Sequence, residues 1–203
     1  TFEVMFTIGG DGTILRAVTY IRNLNIPILG INTGRLGFLA TIHKDAIQEN
    51  IDLIFKGAYT IQERSLLSVK TTPVIEDFSE LNFALNEVTI ARKNTTSMIG
   101  IKTSINFEYL TNYWADGLIV ATPTGSTAYS LSCGGPIITP GCQVHILTPI
   151  APHNLNVRPV VVPDHMPITL SVEGRDRSYL LSLDGVSKHI KQGEDVVVTK
   201  AEF

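Results

Sequence analysis

The chain has 203 residues, 44% of them hydrophobic and 17% charged, with a formal net charge of −3 and a pI near 5.9. That composition belongs to a folded globular chain and excludes a disordered one. Lys and Arg occur singly or in pairs such as Arg92-Lys93, which argues against a nucleic-acid or anionic-membrane partner, so a bound phosphate must be held mainly by backbone amides, hydroxyls or a metal ion.

The first element is the apolar run FEVMFTI, in which Val4, Met5, Phe6 and Ile8 suit a parallel strand covered on both faces. Because few strands follow nearby, further residues upstream are expected in the natural protein. The glycine-rich TIGGDGT, Thr7 to Thr13, leads into TILRAVTYIRNL, where Ile14, Ala17 or Val18, Ile21 and Leu24 fall at helical spacing. IPILGIN is then a second parallel strand, completing a strand-helix-strand unit. A second glycine-bearing loop, TGRLGFLA, precedes KDAIQENIDLIFKG, whose Ile47, Ile51 and Ile54 or Phe55 predict a helix ending at Gly57.

From Tyr59 onward the pattern changes to short β-branched or alternating runs separated by turn residues: LLSVKT, NFALNEVTI, MIGIKTSI, GLIVAT, QVHILT, PVVV, ITLSV, SYLLSL and DVVVT. The fold class predicted is therefore a Rossmann-like α/β domain over residues 1–58, apparently truncated, followed by an antiparallel β-rich domain over 59–203. No apolar run approaches the roughly 20 residues of a membrane helix and no secretion-type signal opens the chain, so the expected address is the cytoplasm. Cys133 and Cys142 lack disulfide-framework and CxxC spacing and are expected to be reduced packing residues.

Three stretches carry candidate chemistry. In TIGGDGT, Gly9 and Gly10 let backbone N–H groups approach an oxyanion at a helix N-terminus, yet Asp11 is itself an anion. Asp11 is either the helix cap or a carboxylate facing a hydroxyl or Mg²⁺ beside the phosphate, the arrangement phosphoryl transfer requires. Asn86-Glu87, inside the apolar run NFALNEVTI, is either a polar strand end or a ligand contact. The segment Ala115 to Pro136, ADGLIVATPTGSTAYSLSCGGP, carries hydroxyls at Thr124, Ser126, Thr127, Tyr129, Ser130 and Ser132 beside Asp116. That density suits ribose hydroxyls and an amide more than packing. Ser126 lacks the GxSxG elbow, and no His or Cys pair has zinc-ligand spacing. Asp184-Gly185, between two strands, is expected to be a hairpin turn.

In order and spacing, GGDGTILR, NTGRLGF, LNEV, DGLIVATPTGSTAYSLSCGGP and TPIAPHNLNVRPVVVP resemble the NAD kinase family over almost the whole chain. The resemblance implies transfer of the γ-phosphate of ATP, or of polyphosphate, to the 2′-hydroxyl of the adenosine ribose of NAD, with a divalent metal such as Mg²⁺. It implies Asp11 as general base, with Gly10 and Gly12 shaping its loop. Asn86 and Glu87 would hold the ribose and adenine side of the dinucleotide, and Asp116 the nicotinamide side. Thr127, Ala128, Tyr129 and Ser132 would line the pocket, Phe38 would pack near the adenine, and Arg16 and Ser97 are further candidates. A homodimer or homotetramer, an N-terminal α/β domain and a C-terminal β-sandwich-like domain are implied as well, with NAD between the two domains and neither nucleic acid nor membrane as partner. The alternatives are a lipid kinase of the diacylglycerol or sphingosine type, which shares GGDGT, and a non-catalytic NAD-binding sensor.

Overall fold

The structure, a computed structural model, describes residues 3–34, 37–74, 81–93 and 97–203. Arg35 and Leu36 of the second glycine-bearing loop, and Phe2 of the first apolar run, lie outside these. The chain divides into two units, residues 1–63 with Phe203 and residues 64–202.

In the N-terminal unit, strands β1 (Met5–Ile8), β2 (Ile28–Asn32) and β3 (Ile42–His43) form a parallel sheet in that order. Between β1 and β2 runs α1 (Asp11–Ile21), and α2 (Ile47–Phe55) follows β3. Ile14, Ala17 and Ile21 are buried, as their spacing on one stripe of α1 requires. Leu24, one step further along that spacing, is 63% exposed because the helix has already ended, with Arg22 and Asn25 at positive φ. The end of α2 is closed at Gly57, whose N–H reaches Ile54 while that of Ala58 reaches Leu53. β1 departs from the expectation that both its faces are covered. Thr7 is buried, but Phe6 and Ile8, on the opposite face of the strand, are 47% and 68% exposed, so only one face of β1 is covered.

The C-terminal unit is antiparallel throughout its described strands. In chain order these are β4 (Leu67–Thr72), β5 (Phe83–Ala84), β6 (Glu87–Ala91), β7 (Ile99–Ile105), β8 (Glu108–Ala115), β9 (Gly117–Ala121), β10 (Val144–Ile150), β11 (Val160–Pro163), β12 (Ile168–Glu173), β13 (Ser178–Leu183), β14 (Val186–Lys191) and β15 (Asp195–Lys200). A short helix, α3 (Tyr129–Ser132), lies between β9 and β10. The strands make two six-stranded sheets, β11-β10-β9-β6-β13-β14 and β5-β4-β15-β12-β7-β8.

Alternation explains how the two sheets meet. Ile168, Leu170 and Val172 point inward from β12 and join Val88, Ile90, Leu118, Val120, Leu181 and Leu183 of the other sheet in one core. β9 is buried along its whole length, so its apolar run GLIVA needs a second cover. Ile119 and Ala121, with Ile146 of β10, pack on the opposite face against Cys133, Ile138 and Ile150. That small core fastens the segment after α3 to the sheet. Three strands, β3, β8 and β14, fall outside the runs anticipated from sequence; all three are sheet edges, β3 only two residues long, β8 with half of its side chains exposed and β14 with most of them exposed. Leu170→Ala, at a fully buried position, is expected to cost about 2–5 kcal/mol, measured as a lower urea midpoint; no change would mean that the two sheets are not packed at this layer.

Candidate active site

The N-terminal loop is organised by Asp11. Gly10 is the N-cap of α1 and Asp11 its first residue, with no side-chain capping bond, so the carboxylate is not a helix cap. It gains from the helix N-terminus as a first-turn anion, and it reaches across to the second glycine-bearing loop. Its Oδ2 accepts the backbone N–H of Phe38 at 2.8 Å, and its Oδ1 accepts those of Leu39 and Ala40 at 3.1 Å each. The approach is so close that a Cβ on Gly37 would stand 2.2 Å from Oδ1. At Gly10 and Gly12 a Cβ would meet nothing within 4 Å, which leaves open space beside the backbone there. Phe38 and Arg16 are exposed in the same unit.

In the C-terminal unit a second aspartate does the same for Asn86-Glu87. The Asp184 carboxylate accepts the N–H groups of Leu85, Asn86 and Glu87 at 2.6, 2.9 and 3.0 Å. The carbonyl of Glu87 in turn accepts the Asp184 N–H at 3.1 Å. The other two carbonyls belong to Thr122, whose Oγ1 donates to Leu85 O at 2.6 Å and whose N–H donates to Asn86 O at 2.9 Å. Every backbone polar group of Leu85–Glu87 is thus satisfied by Asp184 or Thr122. Gly125 is required beneath this segment, since a Cβ there would lie 2.0 Å from Asn86 O. Asp184-Gly185 forms the expected two-residue turn between β13 and β14, both residues having positive φ, and its carboxylate does this further work.

Beside this segment lies a cleft of about 260 Å³ lined by Glu87, Thr89, Tyr129, Ser182, Asp184 and Gly185. Burial and the Asp184 charge push the Glu87 carboxyl up to about 7, against the pull of the Tyr129 N–H, and its Oε2 has no partner. Burial also raises Asp184, opposed by its three amides. Burial, Cys133 and the Asp116 and Glu87 charges raise the Tyr129 phenol. Asp116 is in an ion pair with Arg92 at 2.7 Å, and the Arg92 N–H donates to the Asp116 carbonyl.

The hydroxyls of Thr122 to Ser132 divide into two groups. Thr124, Ser126 and Ser130 are buried and bonded within the protein: Ser126 to Pro123 and Ile138, Ser130 to Thr148, and Thr124 to Arg64. Their density therefore serves the loop, which corrects the reading of the whole set as ligand contacts. Thr127, Tyr129 and Ser132 are the half-buried or exposed members, although Thr127 Oγ1 also bonds Thr124 O at 3.2 Å, and Ala128 between them is half-buried. Ser97 is half-buried before β7. Thr89, Thr122, Ser182 and Asp184 are site or supporting residues not singled out by sequence; only Asp184 carried a signal, and it was that of a turn. Among the described residues no three His, Cys, Asp or Glu side chains cluster as metal ligands.

Residues 1–59 match the family model for the ATP-NAD kinase N-terminal domain, and residues 85–203 match that for the ATP-NAD kinase C-terminal domain. The chain belongs to the NAD kinase family. NAD kinases of Flavobacterium psychrophilum and Flavobacterium johnsoniae are 54% and 53% identical to it over all 203 residues, which span 69% of each relative. Among solved structures it resembles yeast NADH kinase complexed with NADH, at a TM-score of 0.90 and 29% identity, over 99% of this chain and 58% of that one. It also resembles an NAD kinase from Archaeoglobus fulgidus in complex with ATP, at a TM-score of 0.83 and 29% identity, over 100% of this chain and 76% of that one. The family assignment sets aside the lipid-kinase alternative.

Two expectations test this NAD kinase site. Gly37→Ala should displace the Asp11 carboxylate and move the amide resonances of Phe38, Leu39 and Ala40 together; unmoved resonances would show that the three bonds are not made. Glu87 binds a proton more tightly folded than unfolded between pH 4.5 and about 7, so its contribution lowers stability as pH rises through that window. Glu87→Gln should therefore gain urea stability relative to wild type between those pH values and keep a constant advantage above them. A difference independent of pH would sink the assignment.

Proposed function

We propose that this chain carries the catalytic machinery of an NAD kinase, which transfers the γ-phosphate of ATP to the 2′-hydroxyl of the adenosine ribose of NAD and forms NADP. The observation that carries the reading is the pairing of two family-matched units with two carboxylate-ordered loops, one at Asp11 and one at Asn86-Glu87. The names and ligands of the relatives, NADH in one structure and ATP in the other, supply the substrate class.

In this reading the N-terminal unit carries the transfer loop, and the β-rich unit reads the dinucleotide. The open backbone at Gly10 and Gly12 and the N-terminus of α1 receive phosphate oxygens. Asp11, held by three amides, accepts the hydrogen of the 2′-hydroxyl. Phosphoryl transfer passes through a loose transition state in which the nucleophile is positioned rather than strongly activated, so orientation comes first and proton acceptance second. Asn86 and Glu87 hold the ribose and adenine side, Asp116 the nicotinamide side, and Thr127, Ala128, Tyr129 and Ser132 line the pocket. Phe38 packs near the adenine, with Arg16 and Ser97 as outer contacts. A bound Mg²⁺ would neutralise charge on the phosphates. The active assembly is a homodimer or homotetramer working in the cytoplasm.

The test is direct. The chain is incubated with NAD, ATP and Mg²⁺, and NADP is followed with an NADP-specific dehydrogenase. Wild type should form NADP, and Asp11→Asn should be slower by about 10²–10⁴. Equal rates would remove Asp11 as proton acceptor. No NADP from wild type, with NAD still raising the melting temperature, would favour the binding-only alternative.

A further inference from the structure

Asp184 is unusual among turn aspartates because its carboxylate points away from its own turn. In a two-residue hairpin the aspartate is needed only for its tolerance of positive φ, a service Asn performs equally well. Here the side chain instead collects three successive N–H groups from a segment 97 to 99 residues earlier. An asparagine could not do this, since its NH₂ would meet amide donors. The geometry calls for a carboxylate.

We propose that Asp184 is the positioning residue for dinucleotide recognition: by taking the three amide hydrogens of Leu85–Glu87 it fixes the backbone that carries Asn86 and Glu87, and with it how the Glu87 side chain is presented to the cleft it lines. This rests on the reading of Asn86 and Glu87 as substrate contacts. With the backbone occupied by Asp184 and Thr122, Glu87 lines the cleft with a buried Oε2 that has no hydrogen-bond partner among the described residues. The groups facing Glu87 are Asp184 from the β13–β14 turn and Tyr129 and Cys133 from the α3 segment. Asp184 contributes the like charge among them, so it adds to burial, the larger cause, in making Glu87 hold its proton.

The variant Asp184→Asn preserves size and turn propensity while removing the charge and replacing one of the two acceptor oxygens with an NH₂ donor. In the full chain it should raise KM for NAD about tenfold, the equivalent of one charge-assisted hydrogen bond, with kcat changed much less. The Glu87 carboxyl, followed by ¹³C NMR, should titrate near 7 in wild type and at lower pH in Asp184→Asn. A role confined to holding the hairpin would lower the melting temperature and leave the KM and the Glu87 midpoint in place, and that result overturns the proposal. Asp184→Glu, one methylene longer with the charge kept, should raise KM while Glu87 still titrates high. Should both variants fail to fold, the wild-type chain decides. The amide shifts of Leu85, Asn86 and Glu87 should follow one common pH midpoint, that of Asp184, and NAD should move it. Three unrelated midpoints, or no movement with saturating NAD, overturn the proposal. Common amide titration in a chain that makes no NADP would instead sink the kinase reading and leave the clamp standing.

Discussion

A carboxylate that gathers three consecutive backbone amides is the interaction on which both loops depend. A loop that turns sharply has N–H groups with no ladder partner, and leaving each buried and unbonded is costly. One ionised side chain solves the problem for three residues at once, with hydrogen bonds that are each worth roughly 1.5–3 kcal/mol because the acceptor is charged. Asp11 does this for Phe38–Ala40, and Asp184 for Leu85–Glu87. The requirement reaches into composition. A carboxylate can approach the 38–40 backbone only where no side chain intervenes, hence Gly37, and Thr122 can come up beneath Asn86 only over Gly125.

The sandwich supplies what the loops cannot, which is a fixed frame. β6 lies inside its sheet between β9 and β13, so Glu87, at its first residue, starts from a strand paired on both sides. β9 is covered on both faces, and the cover on its outer face is the segment that follows α3. Tyr129 is thereby carried on chain anchored at Ser126, Ser130 and Ile138 rather than on a free surface loop. Arg92 and Asp116, bonded by both side chain and backbone, tie the end of β6 to the start of β9. Both side chains are about a quarter exposed, so the value of this pair lies more in geometry than in stability.

The sequence announces the parts of the molecule whose local pattern matches their environment. The crossover helix α1 and the alternating inner strands were legible because burial there follows 3.6 or 2 residue periods. Some edge strands were legible, as β1 and β11 were from FEVMFTI and PVVV, but β8 and β14 were not, since half or more of their side chains are exposed and their apolar alternation is weak. Of the site, Asp11, Asn86 and Glu87 stood out as charged or polar residues amid glycine or apolar runs. The hydroxyls of Thr124, Ser126 and Ser130 stood out equally, yet they satisfy the loop, because a list of donors does not say which are turned inward. Asp184 was hidden for the opposite reason. Its turn role is local and visible, whereas its amide partners lie about a hundred positions away.

That separation ties the Asn86-Glu87 segment to the rest of its sheet. Its three N–H groups are satisfied only with the hairpin at Asp184 closed beside β6, so no local contact supplies them. Bringing residues this distant together carries a loop-closure cost. A ligand grasping those two side chains therefore binds the completed sheet and not any partial fold, and by mass action its free energy is added to the unfolding of the entire β unit. Opening of one surface hairpin, an event far smaller than global unfolding, would be enough to let the ligand go.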